Sequence, residues 1–433
     1  MKKTLSFIMA AMLTVGMLSG CGSKDAPASS TAPCGTESQS GSTAAKEPVT
    51  LTYWQHSSAA RDEMMTSLVA EFEKQNPDIK VKLEFIPEAD YTQKLIPALA
   101  TANAPDVFQT QSGMVAKLAE AGAIQPLDES IMPSSEIVND FIPATVDGMK
   151  YNDKYYGMPT DTQTIITFWN KKLVAEAGLD AEKGPQTWDE FYDWARKLTK
   201  RDANGAMIQS GWGGKGYWPE VEAYVVQMGG KLYDAEKKQF VFAEDEKAIK
   251  AITDMVALYK TDKVYDTEFS KNWAGFRQGL VAMMLGHPAM MGNLPVTAPD
   301  LDWGVAAIPA NGDSRATCVT SWGYVMSAKA PSAEATRFIE FLSSEEVEKQ
   351  WTMKTGELPA RKSLIEDPAL REDAKLAVAM SSLDDSFVGS LQVPAMNTIF
   401  TEMYEKLRMT DEPVNQVLKA AQDALNAELA NSI

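Results

Sequence analysis

The sequence predicts an α/β fold in two domains, and three observations predict it. Strand-like alternation and helix-like periodicity follow one another in the order strand–helix–strand–helix, and that order returns after about residue 164. The body from about Val49 to Ile433 is too long for one ordinary domain and suits two. It contains no run of 18 or more apolar residues, so no part of it reads as a membrane span.

Each element follows from its own pattern. VTLTYW, Val49 to Trp54, alternates as a strand. Met65, Leu68, Val69 and Phe72 recur at helical spacing, and Asn76-Pro77 ends that helix. In IKVKLEF, Ile79, Val81, Leu83 and Phe85 alternate against Lys80, Lys82 and Glu84, a second strand. Leu95 to Ala102 predicts a helix, and APDVFQ a short strand around Val107 and Phe108. Further on, TIITFW (164–169) is strand-like. Thr187-Trp-Asp-Glu190 has capping-box spacing, ahead of a helical face of Phe191, Trp194, Ala195 and Leu198. GLVAMML (279–285) predicts a buried strand. Ala335, Phe338, Ile339 and Leu342 form one helical face, Ser343-Ser-Glu-Glu346 has the spacing to cap the next helix, and Val417, Leu418, Ala421 and Leu425 stay in register in the last one.

The first 46 residues have a different composition. Lys2 and Lys3 precede a short apolar stretch, Leu5 to Leu18, which fits a secretory signal and is too short to span a bilayer comfortably. It ends Leu-Ser-Gly-Cys, which resembles the lipobox of bacterial lipoproteins. That resemblance implies a signal peptide over 1–20 and a lipidated Cys21. From Gly22 to Lys46 the chain is Ser, Thr, Ala, Gly and Pro with almost no large apolar side chain, so 21–47 reads as a flexible tether. The expected location is the outer face of the cell membrane, with the lipid as anchor.

Composition narrows the function. The net charge is −18 with no basic cluster, which disfavours nucleic acid as a partner. Three cysteines make no disulfide framework, no Cys/His metal spacing occurs, and no cofactor is expected. The segment GGKG near residue 215 lacks the spacing of a phosphate loop. No G-x-S-x-G or H-E-x-x-H motif appears, and the two histidines, His56 and His287, lie far apart in sequence.

Several segments, in this order, resemble the family 1 extracellular solute-binding proteins of ABC sugar transporters, the class that includes maltose-binding protein. They are LVAEFEKQNPDIKVKLEFIP, ALATANAPDVFQ, AGAIQPLDE, KYYGMPTDTQTIITFWNKKLVAEAGLD, PQTWDEFYDWARKLT, GLVAMMLGHPAM, WGVAAIPA and AKAPSAEATRFIEFLSSEEVEKQWTMKTGELPARKS. The resemblance implies a two-lobe periplasmic-binding-protein-like fold of type II, a hinge crossed three times, and a ligand cleft between the lobes. The crossings fall near Thr160, Ile308 and Gly356. Lobe 1 would hold 48–160 plus about 308–355, and lobe 2 would hold 161–307 plus about 356–433. The implied function is capture of a sugar or oligosaccharide and delivery to ABC permease subunits, by a monomer without catalytic activity.

Sugars present hydroxyls around rings with apolar faces, so a cleft for them needs aromatic platforms and planar hydrogen-bonding groups. Trp188, Trp194 and Trp351 lie in amphipathic helices and Trp169 ends an apolar strand; these read as core, and Trp218 and Trp303 are weaker site candidates. Trp54 and His56 follow the first strand, where the family places a cleft loop. Trp212 sits in the glycine-rich QSGWGGKG, read as an exposed loop, Trp273 in SKNWAGF, and Trp322 in TSWGYVM just before a strand. Polar candidates are Gln109 and Gln111 after APDVF, and Asp161 and Gln163 after GMP; Asp106 and Arg361 read as structural. The family often has a tryptophan shortly after the buried Ala-Met strand. Here the chain reads Gly286-His287-Pro288-Ala289, so His287 is the candidate contact in its place, and a maltodextrin is the less favoured ligand. Phe400 stands where maltose-binding proteins have an aromatic pair. The readings left open are a binder of a non-sugar solute (a polyamine, a peptide or a phosphorylated alcohol) and an extracellular glycan-active enzyme.

Overall fold

A computed structural model describes residues 47–214, 216–390 and 393–430; the signal peptide, Cys21, Cys34 and nearly all of the tether lie outside the described residues. From Glu47 onward the chain is one compact unit built on two five-stranded sheets.

The first sheet begins with β1 (Val49–Ser57) and β2 (Ile79–Pro87), parallel over their full length from Val49 opposite Ile79 to Ser57 opposite Pro87. The connection is helix α1 (Ala59–Gln75), whose Met65, Leu68, Val69 and Phe72 are buried against the sheet. At its end the backbone N–H of Asn76 donates to Phe72 O, and Pro77 cannot continue the helix. Helix α2 runs over Glu88–Leu99, seven residues earlier than its apolar residues alone predict, because Tyr91 is also on the buried face. β3 (Val107–Gln111) lies beside β1. Asp106 is structural, as its turn context suggests: its Oδ2 accepts from the Thr52 amide at 2.7 Å and the Thr52 hydroxyl at 2.8 Å. β4 (Gly157–Pro159) forms one edge of this sheet, next to a strand that arrives much later in the chain.

The second sheet contains β5 (Ile166–Asn170), the two-residue β6 (Lys200–Arg201), β7 (Met207–Trp212), β8 (Val281–Gly286) and β9 (Trp303–Ala307), in the order β9-β5-β8-β7-β6. Its capping box is half realised. Thr187 Oγ1 accepts from the Glu190 amide at 3.2 Å, but the Glu190 carboxylate accepts from Gln186 N at 2.6 Å, not from the cap residue itself. Helix α3 (Trp188–Lys197) follows, then α4 (Trp218–Gln227), of which every residue but one is buried.

The chain then returns. β10 (Thr317–Val319) leads into β11 (Trp322–Met326), which inserts between β3 and β4 in the first sheet. Helices α5 (Ser332–Leu342) and α6 (Glu345–Thr355) pack on that sheet. The last two helices, α7 (Pro394–Met409) and α8 (Val414–Ala430), close the core of the second sheet through Phe400, Tyr404, Leu418 and Leu425.

Three stretches therefore pass from one sheet to the other: 160–165, 308–321 and 356–361. They are paired with one another. Thr162 and Leu358 exchange backbone hydrogen bonds at 2.7 and 3.2 Å, and Gln163 and Thr320 exchange theirs at 2.8 and 2.9 Å. Gly356 takes the left-handed conformation (φ 74°) that ends helix α6. A Cβ there would lie 2.8 Å from Pro288 O, so only glycine lets the third crossing approach the segment after β8 this closely.

Candidate functional site

A cleft of about 1130 Å³ opens between the ends of the two sheets, larger than the roughly 300–1,000 Å³ of ordinary ligand pockets. One wall comes from the first sheet and its return strand. His56 stands at the end of β1, Gln111 at the end of β3, and Trp322 opens β11 directly opposite Gln111. The His56 and Trp322 rings lie 4.1 Å apart at 33°, and Tyr91 meets both edge-on. Tyr91 is locked by its own hydroxyl, which donates to Gln109 O at 2.6 Å and is 3.2 Å from Trp54 O.

Behind this wall lies a buried ion cluster. The Arg61 guanidinium meets Glu357 through Nε, Asp161 Oδ2 at 3.2 Å through Nη2, and the His56 ring through Nη1. Trp351 Nε1 donates to the other Glu357 oxygen at 2.6 Å, Gln163 Nε2 donates to Asp161 at 2.9 Å, and the Trp322 amide is 3.2 Å from Asp161 Oδ1. Arg61 comes from helix α1, Asp161 from the first crossing and Glu357 from the third, so the cluster ties two crossings to the first sheet. Burial and the adjacent Arg61 charge push the His56 pKa well down, so its ring is neutral.

The other wall comes from the second sheet. His287 Nδ1 is 2.9 Å from Thr164 O and Nε2 is 3.3 Å from the Tyr217 hydroxyl. It faces the open cleft yet is ringed by protein, and desolvation lowers its pKa to about 4, with the Thr164 carbonyl opposing. Trp273 packs edge-on to Phe168 at 5.1 Å, and Gly286 leaves room for it, since a Cβ there would sit 2.5 Å from the indole. Glu220, in the first turn of α4, and Asn293 complete this side. Three acceptors of the cleft lining have no hydrogen-bond partner: Gln163 Oε1, Glu220 Oε2 and Asn293 Oδ1.

The structure brings six of the sequence-derived candidates onto the cleft: His56, Gln111, Gln163, Trp273, His287 and Trp322. Four lie elsewhere. Trp212 is fully buried in the core of the second sheet, edge-on to Phe191 at 5.7 Å; Gly214 makes room for the indole, and Gly211 and Gly213 for close packing on Ala195 and Met284, so the glycines do not mark an exposed loop. Trp54 is buried under Lys94, whose Nζ stands 4.9 Å over its ring. Gln109 is fully buried: it shares a strand face with Gln111, but it lies two residues deeper in β3, while Gln111 ends the strand at the cleft. Asp161 is fully buried in the ion cluster and touches the cleft lining through Arg61, Gln163, Ser321 and the Trp322 amide. Phe400 stacks on Trp218 at 4.6 Å inside the second core, away from the cleft, and Trp194 is only half-buried at the edge of that core. Tyr217, Glu220, Asn293 and Arg277 were missed, since each is a single polar residue or tyrosine without a motif around it.

Comparison with known proteins adds the family. Residues 57–349, more than half of the chain, match the model of the bacterial extracellular solute-binding proteins. The chain belongs to this family. Among its relatives is a maltotriose-binding protein of Pyrococcus abyssi, 24% identical over 330 residues that cover 74% of this chain and 68% of that one. Another is the sn-glycerol-3-phosphate-binding periplasmic protein UgpB of Escherichia coli K12, 25% identical over 342 residues that cover 74% and 76%. Among solved structures, the substrate-binding protein Lmo0181 of Listeria monocytogenes, in complex with cycloalternan, superposes with a TM-score of 0.77 at 25% identity, over 89% of this chain and all of that one. The GacH receptor of Streptomyces glaucescens gives 0.76 at 23% identity over 89% and 100%, a likeness of fold. The fold expected from the sequence is therefore the fold of this family. Among the described residues no helix is long and apolar enough to cross a membrane.

Proposed function

We propose that this solute-binding protein captures a sugar or short oligosaccharide in the cleft between its two sheets and delivers it to an ABC importer. The observation that carries the reading is the set of three partnerless acceptors, Gln163 Oε1, Glu220 Oε2 and Asn293 Oδ1, in a cleft that Trp322 and Trp273 also line. A buried acceptor without a donor costs on the order of 1–3 kcal/mol, which a ligand rich in hydroxyl donors would recover. Rings with apolar faces would meet the indoles. The cycloalternan and maltotriose named for relatives fit the same chemistry.

A phosphorylated alcohol, the ligand named for UgpB, fits less well. An ionised phosphate brings acceptors to a wall that already lacks donors. The charge of Arg61 is taken up by Asp161 and Glu357, and the cleft further carries Glu88 and Asp147 against Lys150, itself paired with Asp153, and Arg277.

The three paired crossings would serve as a hinge, with lobe 1 as 48–160 plus about 308–355 and lobe 2 as the remainder, closing on ligand. The lipid on Cys21 and the tether would hold the protein at the membrane near its permease.

A thermal-shift panel of maltotriose, mannobiose, cycloalternan and sn-glycerol 3-phosphate tests the reading. A ligand at 100 times its Kd stabilises by about 2.7 kcal/mol. At least one saccharide should raise the melting temperature and also shrink the radius of gyration in small-angle scattering. A shift with sn-glycerol 3-phosphate alone would overturn the sugar reading.

A further inference from the structure

The cationic groups of the cleft lining differ in what answers them. Among the described residues they are three: Arg61, taken up by Asp161 and Glu357; Lys150, paired with Asp153 at 3.7 Å; and Arg277. Arg277 is partly buried, and among the described residues it has no ion pair and no hydrogen bond. It ends the short helix Asn272–Arg277, whose rotation is fixed from behind. Phe276 is fully buried, and a Cβ on Gly275 would lie 2.8 Å from a Val281 methyl and 3.0 Å from Ser270 O, so this side is pressed onto β8. Trp273 and Arg277, four residues apart, share another side one turn from each other, and both line the cleft. Trp273 is itself held in place, edge-on to Phe168 at 5.1 Å and to Phe276 at 5.5 Å. The acids of the lining do not neutralise Arg277. Glu220 keeps its proton at pH 7, its pKa raised to about 8 by burial, and Glu88 and Asp147 belong to the first-sheet wall.

Resting on the reading of the cleft as a saccharide site, we infer that the Trp273–Arg277 side of this helix is a subsite for the carboxylate of a uronic acid, so that the preferred ligand is an acidic oligosaccharide. A guanidinium offers five donors in a planar fork and no acceptor, and a carboxylate matches two of them at once. In a uronide the carboxylate stands on the edge of the sugar ring, which suits one helical turn between indole and guanidinium. The ring hydroxyls would donate to Gln163 Oε1 and Asn293 Oδ1. A neutral sugar would fill those acceptors too, but only the acid also answers Arg277. A small phosphorylated alcohol would answer Arg277 but has no ring to set against Trp273.

Calorimetric titration of the full chain tests this with pairs that differ at the carboxyl group: cellobiouronic acid against cellobiose, digalacturonate against its methyl ester, and dimannuronate against mannobiose, with glucose 6-phosphate beside them. At least one acid should bind roughly tenfold tighter than its neutral partner, the size expected of a charge-assisted bond at a partly exposed arginine. That preference should shrink as ionic strength rises from about 0.05 to 0.5 M. Arg277→Gln should erase the preference without lowering the apo melting temperature. Arg277→Lys should keep part of it, since the charge survives and the fork does not. Neutral partners binding as tightly as the acids would overturn the subsite and leave the sugar reading intact. So would Arg277→Gln weakening both members of a pair alike, a result that would assign the guanidinium to closure against Glu88 or Asp147. Binding of glucose 6-phosphate with no uronide bound would overturn the carboxylate. Failure of every saccharide, acid or neutral, would overturn both readings.

Discussion

The two walls of the cleft are built in opposite ways. On the first-sheet side the charged groups are already spent on one another, Arg61 on Asp161 and Glu357, Glu357 on Trp351, Asp161 on Gln163 and the Trp322 amide, and Gln163 Oε1 is left open at the edge of that cluster. On the second-sheet side Glu220 Oε2 and Asn293 Oδ1 have no partner. The first wall is a rigid platform whose bonds fix the geometry of His56 and Trp322. The second holds unmet hydrogen-bonding capacity, and a ligand's donors are what it lacks.

The largest effect expected from breaking this contrast is at Arg61. Arg61→Met would leave Asp161 and Glu357 buried without their counter-charge, at a cost of about 3–5 kcal/mol in folding stability. Urea unfolding of the two proteins checks it. A loss below about 1 kcal/mol would mean that the cluster does not organise the crossings.

Two tryptophans that look alike in sequence sharpen the same contrast. Trp212 is fully buried, so Trp212→Ala should cost about 3–5 kcal/mol of stability and leave the affinity per folded molecule unchanged. Trp322 lines the cleft, so Trp322→Ala should cost about 2 kcal/mol in binding, roughly thirtyfold in Kd, with a smaller effect on stability. Paired calorimetry and melting curves separate the two outcomes, and exchanged results would contradict the placement of both side chains.

Those two residues also show what the sequence could and could not disclose. Strand alternation in VTLTYW and IKVKLEF and helical spacing in Met65, Leu68, Val69 and Phe72 depend on local periodicity, and they read correctly. The glycines around Trp212 look like loop residues, whereas each is there for close packing: a Cβ at Gly214 would strike the indole, one at Gly211 the Ala195 carbonyl, and one at Gly213 Met284. Gln109 and Gln111 show a finer limit: they share one face of β3, and only where the strand ends decides between them, with Tyr324 of β11 standing opposite Gln109 and Trp322 opposite Gln111 from more than 200 residues away. Glu220 and Arg61 carry no local signal, because their roles come from neighbours supplied by other segments.

A further effect concerns pH. Glu220 has a folded pKa raised to about 8, so it binds its proton more tightly folded than unfolded. Its contribution to stability is whole below about 4.5 and is lost as pH rises toward about 8. Glu348, buried and also raised to about 8, adds to the same trend, so the difference between proteins is the readout. Glu220→Gln should flatten the fall in stability between pH 5 and 7 by on the order of 2 kcal/mol, at about 1.4 kcal/mol per pH unit for one proton. Parallel curves for the two proteins would show that the Glu220 carboxyl is solvated in the folded state.

The cleft itself is tested most directly by a crystal structure of the protein with the saccharide that gives the largest thermal shift. The account expects a sugar ring against Trp322, with hydroxyls donating to Gln163 Oε1 and Asn293 Oδ1 and the two sheets drawn closer together around it. A saccharide bound outside the cleft, or a cleft that accepts only a phosphorylated solute, would contradict it.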